Sequence, residues 1–156
     1  MVYNVHNKKM KTLSLGFKPI FQSACGAILG ALIAFVFCYF LSLWLRILIL
    51  FIIIGISIPL ATKLEKFFQK KDTKIIFFDE IVGMLVATLP IRFSSLSITL
   101  SQILITLLIF GLIDAMKIFP ANKIEHLFGG WGIVLDDIIA GIYASFSIAI
   151  ILRIFW

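Results

Sequence analysis

The stretch that decides the fold is Pro19–Leu45, PIFQSACGAILGALIAFVFCYFLSLWL, which is 27 residues long and carries no charged side chain. About 20 apolar residues suffice to cross the hydrocarbon core of a bilayer at a rise of about 1.5 Å per residue. The run is about twice as long as the apolar core of a signal peptide. It therefore predicts an uncleaved membrane-spanning helix.

The composition of the whole chain agrees with a membrane protein. Hydrophobic residues make up 62% of the 156 residues and charged residues 14%, against about 45–50% and about 25% in soluble domains. Cys25 and Cys38 both lie in the apolar run and are predicted to be free thiols. The net charge of +6 comes from basic residues that flank apolar runs, which is typical of topology signals and not of a nucleic-acid site.

Further apolar segments predict about five crossings. We expect an all-α, polytopic bundle of four to five spanning or partly spanning helices, in which residues 1–18 form a basic cytoplasmic segment and residues 19–156 one membrane-embedded domain. The third segment is interrupted by Asp79 and Glu80. The later segments are Ile47–Thr62, Ile75–Ile91, Phe93–Ile113 and Ile133–Trp156.

Five of the eight acidic residues lie among apolar neighbours and would fall on one side of the membrane if the lysine clusters face the cytoplasm. An ionisable group in a membrane segment costs about 2.5–3.5 kcal/mol on insertion scales. These five acids are Asp79, Glu80, Asp114, Asp136 and Asp137.

Helix capping explains one member of each acidic pair, because a carboxylate at a helix start accepts backbone N–H bonds. The second member is harder to explain, because adjacent carboxylates at about 4 Å repel by roughly 4 kcal/mol at an effective dielectric of about 20. Asp114 would end a helix, where a negative charge is unfavourable. We therefore hypothesise a mononuclear or dinuclear Mg²⁺ site held by these acids.

Two neighbouring features fit a phosphate ligand. Lys117 follows Asp114 by three residues and would act as a point charge for a phosphate, or would pair with Asp114 as an interfacial lysine. A glycine-rich turn before the last apolar segment would bring backbone N–H groups close to an anion, or would be a simple interfacial turn anchored by Trp131. Its glycines are Gly129, Gly130 and Gly132.

Two more glycines predict close packing of two helices. Gly83 and Gly141 follow Asp79 and Asp137 by four residues each, and therefore share their helix faces. Small residues at these positions would let the two helices approach closely.

Three blocks of the sequence resemble the signature blocks of bacterial phosphatidylglycerophosphatase A. They are IFFDEIVG at 76–83, DAMK at 114–117 and GGWGIVLDDIIAG at 129–141. The resemblance implies a Mg²⁺-dependent enzyme of the bacterial inner membrane, with its active site facing the cytoplasm. Its reaction would convert phosphatidylglycerophosphate to phosphatidylglycerol, so that the partners are a phospholipid and the membrane and not a nucleic acid. The family's functional positions correspond to Asp79, Glu80, Asp114, Lys117, Asp136 and Asp137, and Asp72 matches a further acid that often precedes the Asp-Glu pair.

The chain also departs from the family pattern. Gly111 stands where the family usually has an arginine, Ile118 where it usually has a proline, and QSACGA at 22–27 where it typically has Pro-Gly-Thr-x-Gly-Ser. The missing arginine removes a bidentate phosphate contact, which Lys18, Lys117 or Lys123 would have to replace.

Two alternatives to the enzyme remain open. A cation carrier would use intramembrane acids as an ion path and predicts acids at several depths. A catalytically inactive relative would keep the acids without turnover. For the enzyme itself, direct attack by water and a covalent aspartyl-phosphate are both open, and the general base is not assigned.

Overall fold

The computed structural model describes residues 23–68, 78–124, 127 and 129–155, and within these ranges the chain is helical, without a strand. The predicted basic segment 1–18 and the loop residue Asp72 lie outside the described residues. The helices are α1 (Ser23–Phe40), α2 (Leu43–Phe68), α3 (Phe78–Ala87), α4 (Leu96–Met116), α5 (Ala121–Ile124) and α6 (Gly130–Phe155).

Within the described ranges, α1, α2, α4 and α6 are each long and apolar enough to cross a membrane. Their outer faces carry large exposed hydrophobic side chains such as Trp44, Phe51 and Phe146. Such faces suit contact with lipid, and helices satisfy their own backbone hydrogen bonds there. The predicted polytopic helical membrane fold is confirmed.

The third predicted crossing differs from a full spanning helix. α3 has 10 residues and rises only about 15 Å. It ends where the N–H of Leu89 donates to the carbonyl oxygen of Val86, three residues back, and where Pro90 has no N–H to continue the helix. The chain then turns and continues without helix until Ser95, whose side chain accepts the N–H of Ile98 and caps α4.

The short helix and the non-helical segment together pass from one end of the bundle to the other. At its start, α3 brings Glu80 against Gly26, near the beginning of the described part of α1. Beyond its end, the ring of Phe93 lies 4.8 Å from the ring of Tyr39, at the last turn of α1. The apolar run 75–91 thus belongs to a fifth passage, of which only a part is helical.

The short helix α3 lies at the centre of the bundle. Its residues from Val82 onward are buried, and its main packing partner is α6. A Cβ on Gly83 would lie 2.7 Å from the backbone oxygen of Asp137, and one on Gly141 would run into the backbone oxygen of Gly83. The predicted close approach of these two helices is confirmed.

Candidate metal and phosphate site

Several helix ends meet at one end of the bundle, which we call the carboxylate end. The start of α1 contacts the start of α3 through Gly26 and Glu80. The last part of α2 contacts the start of α6, because the N–H of Gly130 donates to Oγ1 of Thr62 at 2.8 Å. The opposite end, near Tyr39 and Phe93, is called the arginine end below.

The five predicted acids converge at the carboxylate end in two overlapping groups. In each group, one carboxylate oxygen from every member lies within 4.8 Å of the others. Asp137 belongs to both groups, so it joins them into one cluster. The groups are Asp79, Glu80 and Asp137, and Asp114, Asp136 and Asp137.

A position in the first turn of a helix explains only some of the acids in this cluster. Asp79 and Glu80 lie in the first turn of α3, where the helix dipole favours an acid, and Oδ1 of Asp79 accepts the N–H of Glu80 at 3.1 Å. The capping interpretation is wrong for Asp136 and Asp137, because α6 begins at Gly130 and places both about two turns inside the helix. Both are buried, with 8% and 6% exposure.

Lys117 ends α4 and turns toward α6. It adopts a left-handed conformation with φ 43°, so the helix does not continue past it. Its Nζ lies 3.3 Å from Oδ2 of Asp136, and its side chain is 42% exposed. This partly exposed lysine therefore lies beside the carboxylate cluster.

A shallow, open groove runs beside this ion pair and encloses essentially no cavity volume. Asp114, Lys117, Asp136 and Tyr143 supply its polar lining. The hydroxyl of Tyr143 donates to the backbone oxygen of Phe119 at 3.0 Å. Sequence reasoning missed Tyr143, although it follows Asp136 by seven residues and so shares its helix face.

Backbone conformation and helix packing explain why glycine occupies two positions of this turn. Gly129 has φ +64°, a conformation that favours glycine. A Cβ on Gly130 would run into the backbone oxygen of Ile58, so glycine lets α6 begin against α2. The phosphate-binding role of Gly129, Gly130 and Gly132 stays a prediction, and the N–H of Gly130 already has the Thr62 hydroxyl as its acceptor.

The cluster carries more negative charge than its described surroundings balance. Two charged carboxylates whose oxygens lie within 4.8 Å of one another repel by roughly 3.5 kcal/mol or more at an effective dielectric of about 20. Among the described residues, Lys117 pairs with Asp136 of the cluster. Oε2 of Glu80 is buried and accepts no hydrogen bond from that part of the chain. An all-oxygen donor set of this kind fits a hard divalent cation such as Mg²⁺.

The structure places one of the lysines that would have to replace the missing arginine, and the position of the arginine itself. Lys123 lies over the ring of Phe119, 5.2 Å from its centroid, and Lys18 is outside the described residues. At Gly111 a Cβ would meet nothing within 4 Å, so the position has room for the side chain that it lacks. Cys25 and Cys38 are free thiols, as predicted.

Comparison with known proteins points to lipid phosphatases. The family model described as phosphatidylglycerophosphatase A matches residues 10–152. A Bacteroides thetaiotaomicron protein, provisionally named a phosphatidylinositol-3-phosphatase, is 26% identical over 140 residues, which cover 86% of each chain. No solved structure matches this chain.

Proposed function

This chain belongs to the phosphatidylglycerophosphatase A family, and from that premise we propose that it removes the terminal phosphate of phosphatidylglycerophosphate in a Mg²⁺-dependent reaction. The observation that carries the proposal is the carboxylate cluster joined by Asp137, next to Lys117, at one end of a membrane bundle. Membership of this family supports lipid phosphatase activity, and the carboxylate cluster supports a metal ion as the cofactor.

The two carboxylate groups would each hold a cation, with Asp137 shared between them. The buried, unpartnered Oε2 of Glu80 supports this assignment, because such an oxygen needs a positive partner. When bound, Mg²⁺ supplies Lewis-acid stabilisation of phosphate charge and lowers the pKa of water. Cations held by these carboxylates would also relieve the repulsion within the cluster.

The groove beside Lys117 would receive the terminal phosphate. Nζ of Lys117 is close enough to Asp136 to be held in place and exposed enough to contact phosphate oxygens as a point charge. The outer faces of α4 and α6 are apolar, so the acyl chains of a substrate stay in lipid while its headgroup meets the site. A soluble phosphate ester would gain nothing from this position.

Hydrolysis requires that the oxygen of water bonds to phosphorus while the bond from phosphorus to the glycerol oxygen breaks. The proton that water loses goes to a carboxylate of the cluster, and the leaving alkoxide takes up a proton from solvent. Lys117 stabilises the charge that develops on the phosphate oxygens.

The carrier alternative receives less support. It predicts acids at several depths, whereas every acidic side chain that the structure describes lies at the carboxylate end: Glu65, Asp79, Glu80, Asp114, Asp136 and Asp137.

The test is phosphate release by purified protein in detergent, with Mg²⁺ or with a chelator. Phosphatidylglycerophosphate, phosphatidic acid and phosphatidylinositol 3-phosphate are compared, the last because of the name of the Bacteroides relative. We expect Mg²⁺-dependent release that favours phosphatidylglycerophosphate. We also expect a loss of at least about 100-fold in Asp79→Asn, because the cluster loses a negative ligand.

Glu65→Gln is the matched control, since Glu65 is an acid at the same end but outside both carboxylate groups. It should retain full activity. Equal activity with chelator would reject the metal, and preference for another lipid would reject the substrate. Cation flux in proteoliposomes that is lost in Asp114→Asn, without phosphate release, would favour the carrier.

A further inference from the structure

The backbone turn that carries Lys117 is held against α6 at two points. Nζ of Lys117 lies 3.3 Å from Oδ2 of Asp136, and the backbone oxygen of Phe119 accepts the hydroxyl of Tyr143 at 3.0 Å. Asp136 and Tyr143 are seven residues apart on α6 and therefore share one helix face. One face of α6 thus binds both the side chain of the lysine and the backbone two residues beyond it.

The backbone of Lys117 is in a conformation that needs support from its surroundings. Its φ of 43° and ψ of 58° lie in the left-handed region, which a residue with a Cβ adopts at a cost and keeps only where the surrounding structure fixes it. On one side, the N–H of Lys117 donates to the backbone oxygen of Asp114 at 3.2 Å and ties the turn to α4. On the other side, the hydroxyl of Tyr143 ties the turn to α6.

The chain beyond Phe119 packs on the same part of α6. α5 contacts α6, and the side chains of Ala121 and Ala140, which line the groove beside Lys117, are 4% and 3% exposed. Such small side chains let the backbone of one segment approach a helix closely. The hydroxyl of Tyr143 binds a backbone oxygen there, so its hydrogen bond fixes the path of the backbone and not the side chain of Phe119.

We propose that Tyr143 is a positioning residue of the phosphate site, which acts through Lys117 and not on the substrate itself. This role rests on the proposed function, in which Lys117 contacts the terminal phosphate. Lysine carries its charge at the end of a flexible four-carbon chain, so the place of its amine depends on where its backbone is fixed. The hydroxyl proton of Tyr143 is already donated to Phe119. Without that hydroxyl, the turn relaxes and the amine of Lys117 spends less time beside Asp136.

The first test is a double-mutant cycle of phosphate release from phosphatidylglycerophosphate. Tyr143→Phe removes only the hydroxyl and should lower kcat/KM about fivefold. The double variant Tyr143→Phe with Lys117→Gln should be as active as Lys117→Gln alone, because the hydroxyl acts through the lysine. Tyr39→Phe is the matched control, since the ring of Tyr39 lies against Phe93 at the arginine end, and it should retain full activity. A fivefold loss from Tyr143→Phe that persists in the Lys117→Gln background, or no loss in the unmodified chain, would overturn the proposal.

The second test needs no turnover. The lysines of the full chain are methylated with isotope-labelled formaldehyde and observed by NMR in detergent, and the resonance of Lys117 is assigned with Lys117→Arg. We expect Tyr143→Phe to move this resonance toward that of Lys66, an exposed lysine in the last turn of α2, and Tyr39→Phe to leave it in place. An unmoved resonance in Tyr143→Phe would overturn the positioning role. If the unmodified chain released no phosphate, the proposed function would fail, and this resonance would still decide whether Tyr143 positions Lys117.

Discussion

Asp137 joins the two carboxylate groups, and its side chain is 6% exposed. Asp137→Asn keeps the shape of the side chain and removes one negative charge from each group. With a chelator present, we expect the variant to unfold at a higher temperature than the parent. The gain should be about 2–4 °C for each kcal/mol of repulsion removed. With Mg²⁺ added, it should gain less stability than the parent and show no phosphate release.

The control for this prediction is Glu65→Gln, which removes a carboxylate outside the cluster. Its unfolding temperature should respond to Mg²⁺ like that of the parent. If Asp137→Asn retained the full stabilisation by Mg²⁺, the cluster would not be the metal site.

Substitutions at Gly111 test whether the missing arginine weakens phosphate binding. It lies one turn before Asp114, is exposed, and has nothing within 4 Å of where a Cβ would stand. Gly111→Arg should therefore fold and lower the KM for the phosphate substrate by roughly tenfold through a charge-assisted contact. Gly111→Ala gives the helix the same Cβ without the charge, so its KM should stay unchanged. An equal KM in both variants would show that the position does not reach the substrate.

The sequence pattern predicts the acids of the site but not the residues that pack around the site. Asp79, Asp114 and Asp137 stand out because charged groups in apolar runs need a reason. Thr62 and Tyr143 do not stand out, because their contacts with Gly130 and Phe119 exist only after distant segments have packed. The partner of Lys117 was missed for a similar reason, since it depends on where α4 ends.

At the scale of elements, length and hydropathy predict the spanning helices, whereas their boundaries depend on local contacts. α6 begins at Gly130 and not at the apolar run from Ile133, because glycine there fits against α2 and Thr62 accepts its N–H. α3 stops at Ala87 because Pro90, three residues further, has no N–H to continue its hydrogen bonding. Hydropathy alone predicts neither the start of α6 nor the end of α3.

The contact between α3 and α6 determines how the acidic pairs meet. Gly83→Ala would place a Cβ 2.7 Å from both the backbone oxygen of Asp137 and the ring of Phe110. Forcing these helices apart should lower the free energy of unfolding by about 1–3 kcal/mol and separate Asp79 from Asp137. We expect lower thermal stability and a weaker response of activity to Mg²⁺.

Gly55→Ala is the matched control, because Gly55 is also helical and a Cβ there meets nothing within 4 Å. Thermal unfolding of both variants, with and without Mg²⁺, checks the prediction. Gly83→Ala with the stability and Mg²⁺ response of Gly55→Ala would show that the close approach does not position the acids.

At the scale of the whole molecule, charge is distributed unevenly between the two ends. The described lysines Lys63, Lys66, Lys117 and Lys123 lie at the carboxylate end, and Arg46, Arg92 and Arg153 lie at the arginine end. Eleven of the 14 basic residues of the chain are lysines and three are arginines. Under the positive-inside rule the end richer in basic residues faces the cytoplasm, so we expect the carboxylate end to lie there.

This orientation predicts the outcome of cysteine labelling in intact spheroplasts. The unmodified chain is the background, since Cys25 and Cys38 both lie within α1. A membrane-impermeant maleimide should label Ser97→Cys, at the start of α4, without permeabilisation, because that residue is exposed at the arginine end. It should label Lys66→Cys, exposed in the last turn of α2, only after permeabilisation. The reverse pattern would place the carboxylate cluster on the outer face, where a cytoplasmic phosphate ester could not reach it.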